Sequence, residues 1–174
     1  MMKKTVGVAL SIIFVVSLLS GCGGSATSVP FNGMLDSDSG KVYKLGDSKD
    51  VFDDAFGQPT FNKKRNEYSY VNEILTVTFD ENDCAVCIES SGKSNRFEFC
   101  DFNFEKPLKD IEGRYERFDD AVGYVFYSKY LDKSGNACSY GDATYIAQLM
   151  VRDGDMEILD LKDGEYVSYS IEKK

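Results

Sequence analysis

Histidine and tryptophan are both absent from this 174-residue chain. Without histidine there is no usual general base, no Ser–His or Cys–His nucleophile pair, and no commonest ligand for a transition metal. Catalysis would have to rest on carboxylate pairs or lysine, so a non-catalytic role without a cofactor is the expectation. Positive charge is scarce too, with 20 basic side chains against 29 acidic ones and a net charge of −9. That balance repels phosphate backbones and argues against nucleic acid as a partner. In a small domain, acidity otherwise serves solubility. What is plentiful is aromatic: 11 Tyr and 12 Phe, a composition that suits a sheet-rich fold.

One apolar run stands out, Val6 to Leu19, broken only by Gly7, Ser11 and Ser17. Lys3 and Lys4 precede it, and Leu19-Ser20-Gly21-Cys22 closes it. A cationic start, a short apolar stretch and a small-residue close make a secretory signal. The run is too short, and its flanks too one-sided, for a spanning helix. Leu19-Ser20-Gly21 before a cysteine resembles the lipobox of bacterial lipoproteins. The resemblance implies that Cys22 takes a diacylglyceryl thioether, that residues 1–21 are cut away, and that the lipid bilayer holds the new N-terminus. Two acyl chains give the stable anchoring that one cannot. The Gly-rich stretch after Cys22 is typical of Gram-positive lipoproteins, which implies the outer face of the cell membrane and excludes an outer-membrane role. The plain alternative is an ordinary secretory peptide, or an uncleaved anchor, with an accidental cysteine. Loss of Lys3 and Lys4 with the signal would move the net charge from −9 to −11, leaving no electrostatic hold on anionic lipid.

Residues 22–40 are rich in Gly, Ser and Asp and read as a flexible tether. Asp36-Ser37-Asp38-Ser39-Gly40 has a faint calcium-loop look but lacks the later Glu and the full ligand spacing. A first folded unit is expected over 41–104. Val42 to Leu45 reads as a strand, and Asp47 or Ser48 as the cap of a helix carrying Val51, Phe52, Ala55 and Phe56, stopped by Gly57 and Pro59. Strands follow at Tyr68 to Val71, Ile74 to Phe79 and Cys84 to Glu89, with Asp80 to Asp83 as a turn. A fourth strand, Arg96 to Phe102, is expected to fold back on the third, with Glu89 beside Arg96, Ile88 beside Phe97 and Val86 beside Phe99.

A second unit is expected over 105–174. Pro107 opens a helix with Leu108, Ile111, Tyr115 and Phe118 on one face. Strands read at Gly123 to Leu131 and Thr144 to Arg152. Asp153-Gly154 and Asp163-Gly164 then turn the chain through Asp155 to Lys162 and Glu165 to Ile171 as a meander. One face of it collects Leu149, Val151, Met156, Ile158, Val167, Tyr169 and Ile171. Helix and strands recur at an offset of about seventy residues, so the expected fold class is α+β: an antiparallel sheet with helices on one face, built from two αβββ repeats in tandem.

The segments Leu45-Gly46-Asp47-Ser48-Lys49-Asp50-Val51, Phe56-Gly57-Gln58-Pro59 and Leu75 to Phe79 resemble a unit of small extracytoplasmic domains. These are related to β-lactamase inhibitor protein and to the small lipoprotein of the outer-membrane barrel-assembly machine. The resemblance covers the first unit only; in the second, Gly113 falls inside the helix and no Gly-x-Pro closes it. It implies helices laid on an antiparallel sheet and action by binding other proteins.

Four cysteines follow Cys22. Cys84 and Cys87 have zinc-knuckle or thioredoxin-like spacing, but along a strand positions three apart point to opposite faces. Unpaired thiols, one disulfide (Cys87 with Cys100, or either with Cys138) and a metal or redox pair are the readings left open. Glu112, Glu116, Asp119 and Asp120 could form a glycosidase-type pair only around a pocket and read as a solvated helix face. Ser90-Ser91-Gly92-Lys93 reads as a turn. Helices on one side leave the other side of the sheet open, so some of Tyr68, Tyr70, Tyr127, Tyr130, Tyr140 and Tyr166 should stand there. Tyrosine joins contact area to a polar tip at low entropy cost. Tyr68, Tyr70, Tyr127, Tyr130 and Tyr166 are the candidate contacts for an unidentified extracytoplasmic protein, unless loops or the tether cover them. The leading expectation is a non-catalytic protein-binding lipoprotein acting in inhibition, assembly or sensing. A small-ligand carrier or envelope-stress lipoprotein is the alternative.

Overall fold

A computed structural model describes residues 28–119, 123–152 and 166–174. The signal segment, Cys22, Asp120, the Asp153-Gly154 and Asp163-Gly164 turns and the expected 155–162 strand lie outside the described residues, as do the side chains of Glu112 and Asp119.

The architecture is mostly β, in two antiparallel sheets. Strands β1 (Gly33–Asp36), β2 (Lys41–Lys44) and β7 (Phe97–Phe99) form the smaller one, in the order β2-β1-β7. The larger has eight strands. Its first half is β3 (Thr60–Asn62), β4 (Glu67–Tyr70), β5 (Leu75–Phe79) and β6 (Ala85–Ser91). Its second is β8 (Glu116–Asp119), β9 (Tyr124–Leu131), β10 (Tyr145–Arg152) and β11 (Tyr166–Lys173). The order β3-β4-β5-β6-β11-β10-β9-β8 makes each half a meander, and the two meet along β6 and β11, with Ile88 opposite Ile171.

The helical expectation is overturned. Among the described residues there are two α-helices, α1 (Lys49–Phe56) and α2 (Lys109–Glu112), the second barely one turn. They share the covering of the large sheet with the small sheet, so this is not an α+β layer of helices on a face. The Leu108–Ile111–Tyr115 spacing does bury Ile111 and Tyr115. However, the chain turns at Gly113, and Glu116 to Phe118 leave as edge strand β8, where Phe118 pairs with Phe126 instead of joining a helix face.

Alternation explains the large sheet. β5 buries Leu75, Val77 and Phe79 and leaves Thr76 and Thr78 partly exposed, the period-two pattern of a strand with one covered face. The Asp80 carboxylate accepts N–H bonds from Asn82 and Cys84 (2.9 and 3.0 Å) and so builds the β5–β6 turn. The start of α1 is pinned to that turn, where Ala85 N–H donates to Asp47 O and Lys49 N–H to Asp83 O. Phe52 then sits among Tyr43, Tyr70 and Phe79, ring centres 5.6–6.3 Å apart.

Three further expectations change. The stretch read as tether already contains β1. Asp36, 1 % exposed, receives two bonds from the Arg96 guanidinium (2.7 and 3.0 Å), so Phe97–Phe99 pairs with β1 and not with β6. The edge of β6 thus freed is taken by β11, which also pairs directly with β10, so no strand stands between β10 and β11 as the meander required. Finally, the two halves do not stand as separate units: one sheet and one aromatic-rich core run through both.

Candidate functional site: the open face of the large sheet

Both helices and the small sheet pack on one face of the large sheet, the face of Leu75, Val77, Ile88, Leu149, Val151 and Ile171. Among the described residues no helix or strand lies over the opposite face. One row of cross-strand partners runs over all eight strands there: Thr60, Ser69, Thr76, Glu89, Ser170, Gln148, Ser128 and Glu116. Each of these side chains can form hydrogen bonds and none is apolar. At about 4.8 Å between strands the row is a polar strip across the whole width of the sheet. Gln148 Nε2 donates to Ser128 Oγ at 3.1 Å within it.

The flanking rows differ in character. Toward one side, Thr78, Cys87, Glu172, Ile146 and Tyr130 are successive partners. Burial, and then the charges of Glu172, Glu89 and Glu67, push the Cys87 thiol up to about 12. Burial alone raises the Glu172 carboxyl above its ordinary range. The carboxylates on this face therefore repel added negative charge, with the Arg65 guanidinium 3.9 Å from Glu67 as a described cation beside them. Toward the other side, Ser168, Met150, Phe126 and Phe118 are partners, and Phe118 is 46 % exposed at the edge. The face is graded, polar and acidic over most of its width and apolar toward β8.

The candidate tyrosines are not brought together. Tyr70 and Tyr127 are each 2 % exposed on the covered face. Tyr127 faces Leu149 across the β9–β10 ladder, and the Tyr70 hydroxyl donates to Asp53 at 2.7 Å. Tyr68 packs against Phe79 and Phe61 on that same side. Tyr166 packs on Phe102 and donates its hydroxyl to Lys106 O. Only Tyr130 stands on the open face, edge-on to Tyr140, which is 57 % exposed. The Ser/Thr/Gln strip that replaces the expected aromatic surface was visible in sequence as the alternate positions of β5, β9, β10 and β11. Its continuity depends on the β6–β11 junction, which no local pattern announces.

The other candidates are also located. Cys84, Cys87, Cys100 and Cys138 are free: Cys87 lies in β6 of the large sheet, whereas Cys100 follows β7 of the small one, so the Cys87–Cys100 disulfide does not form. Burial followed by Asp132 and Asp142 raises the Cys138 thiol, the opposite of an activated thiolate. No group of three or more His, Cys, Asp or Glu among the described residues could hold a metal ion. Glu116 is exposed on an edge strand and not on a helix. Ser90 and Ser91 belong to β6, with Ser90 fully buried. A dense polar network ties the segment after β7 to the large sheet. Asp101 takes Lys129 Nζ at 2.6 Å and the Tyr115 hydroxyl at 2.8 Å, and Tyr115 meets Tyr169 at 3.2 Å. Burial works against the Asp101 charge, but bonds from Lys129 and Tyr115 outweigh it and hold the carboxyl below its usual range.

No family model matches this chain, and no curated protein or solved structure matches it either. Among the described residues no helix is long and apolar enough to cross a membrane.

Proposed function

We propose that this chain is a lipid-anchored extracytoplasmic protein, held by an acylated Cys22 on the outer face of a Gram-positive cell membrane. It acts without catalysis, as the resembled inhibitor protein and assembly lipoprotein do, by binding another protein, here through the open face of its large sheet. The observation that carries this reading is a sheet face eight strands wide with no described element packed over it, acidic and hydrogen-bonding across most of its width and apolar at the β8 end. That combination resembles an interaction surface with a polar field and an apolar anchor, Phe118 and Phe126, at one end.

The test has two arms. Cys22→Ser should abolish processing and membrane pelleting; a variant still processed and pelleted in the same way rejects the anchor. Phe118→Ala combined with Tyr130→Ala should weaken capture of a partner from solubilised membranes relative to the parent chain, with an unchanged melting temperature. Equal capture by parent and variant rejects the face as the binding surface.

A further inference from the structure

A cleft of about 510 Å³ opens where the end of α1 approaches the β4–β5 turn, within the range of roughly 300–1,000 Å³ typical of ligand sites. Phe56, from the last turn of α1, supplies an aromatic wall, and Gln58 follows it in the chain. Thr60 and Ser69, partners across β3 and β4, supply two hydroxyls. The far rim is the turn itself, where Asn72 and Glu73 line the space.

Three properties set this cleft apart. First, none of the five polar side chains (Gln58, Thr60, Ser69, Asn72 and Glu73) forms a side-chain hydrogen bond with another described residue, so their donors and acceptors are left for water or a ligand. Second, the rim is strained. Val71, Asn72 and Glu73 are consecutive non-glycine residues in the left-handed region, with φ of 52°, 55° and 67°, and a β-branched residue there is a genuine outlier. Such conformations persist only where the surroundings enforce them, and they cluster at binding sites. Here the Tyr70–Leu75 pair closes the turn, and Ser91 N–H donates to Ile74 O at 2.8 Å. Third, the lining chemistry is selective. No Lys or Arg lines the cleft among the described residues, so phosphate or another anion lacks a charged partner. A single carboxylate does not chelate a cation. Phe56 and Val71 alone offer too little apolar surface for a lipid tail.

From this geometry we infer that the cleft binds a neutral saccharide. The primary amides of Gln58 and Asn72 donate to and accept from neighbouring ring hydroxyls, the Glu73 carboxylate accepts from them, and Phe56 takes the apolar C–H face of a sugar ring. Thr60 and Ser69 also begin the polar strip of the open face, but the site lies at the β3–β4 margin, at the edge of the sheet opposite β8 with its Phe118.

The experiment uses the full chain, isotope-labelled and purified in a detergent without a sugar headgroup. It is titrated separately with chitotetraose, cellotetraose and maltotetraose at millimolar concentration, with inorganic phosphate as the anionic control. At least one saccharide should shift the backbone amide signals of Gln58, Ser69 and Asn72, phosphate should not, and Gln58→Ala or Asn72→Ala should each weaken the affinity about tenfold, roughly 1.4 kcal/mol. Both residues are exposed, so the melting temperature should hold. The assignment is overturned if none of the three saccharides moves those signals, if phosphate moves them instead, or if a saccharide response survives in the Gln58→Ala/Asn72→Ala double variant. Capture of a partner through Phe118 and Tyr130 should be unaffected by the two substitutions.

Discussion

Asp36 shows how much one side chain can decide. In sequence it belongs to a Ser/Asp/Gly stretch that reads as linker, yet it is buried in the first hairpin, takes both Arg96 bonds and also accepts from Ser39 Oγ at 2.7 Å. Burial opposes its charge, but bonds from Arg96, Ser39 and the Asp38 N–H, with the Arg96 charge, win and hold its carboxyl below the ordinary range. Asp53, bonded by Lys49 and Tyr70, and Asp101 are depressed in the same manner. A depressed carboxylate adds stability above its unfolded value, near 3.9, and that stability is lost as pH falls through the folded value. At the alkaline end the sign reverses. Burial raises Cys87, Tyr70, Tyr115 and Tyr169, so their contribution is whole below their unfolded values and fades as pH climbs past them. Denaturant midpoints should therefore form a plateau between about pH 5 and 8 and drop below about 4. Asp36→Asn should lower the plateau by about 3 kcal/mol, as breaking a buried pair does, and flatten the acid limb. An acid limb unchanged in that variant would remove Asp36 from this account.

At the scale of elements, the two helices show what local sequence can and cannot announce. α1 was legible because its limits are chemical: Gly57 at φ 81° ends it, with its N–H donating to Asp53 O, and Phe52 and Phe56 lie four apart on the buried side. Val51 was read onto the same face but is 42 % exposed, since the aromatic cluster occupies only one stripe of so short a helix. Phe52→Ala should cost about 3–5 kcal/mol by leaving a hole among Tyr43, Tyr70 and Phe79, while Val51→Ala should change stability by less than about 0.5 kcal/mol. Thermal or urea unfolding separates the two, and equal costs would contradict the packing described. α2 was misread because Leu108, Ile111 and Tyr115 keep helical spacing across Gly113, where the chain turns, while Phe118, which continues that spacing, already lies in β8. In β9 both Tyr127 and Tyr130 were candidate contacts, although alternation sets them on opposite faces. Tyr127 and Val125 face the core because β10 presents Leu149 and Val151 opposite them, a choice made by the partner strand and absent from β9 alone.

Among the described residues, two four-stranded meanders join into one large sheet, with the helices and a small sheet over one side and no described helix or strand over the other. The tandem αβββ repeat read from element order does not hold, and the strand count, the second sheet and the junction were not legible, since each rests on contacts between residues far apart in sequence. Capture of a protein partner by the acidic face should weaken steadily as salt rises from low to physiological ionic strength, because surface charges lose their reach beyond a Debye length of about 8–10 Å. Insensitivity to salt would shift the binding to the apolar β8 end. The β6–β11 seam carries a further consequence for how such a chain matures. One edge of residues 85–91 pairs at once with the neighbouring β5, but the other finds its partner only in 168–172, and contacts that distant in sequence close late and slowly. Until that pairing forms, the first meander carries a naked strand edge along β6, exposed to self-association. The last strand is a latch, and newly made copies depend on closing it before they meet one another.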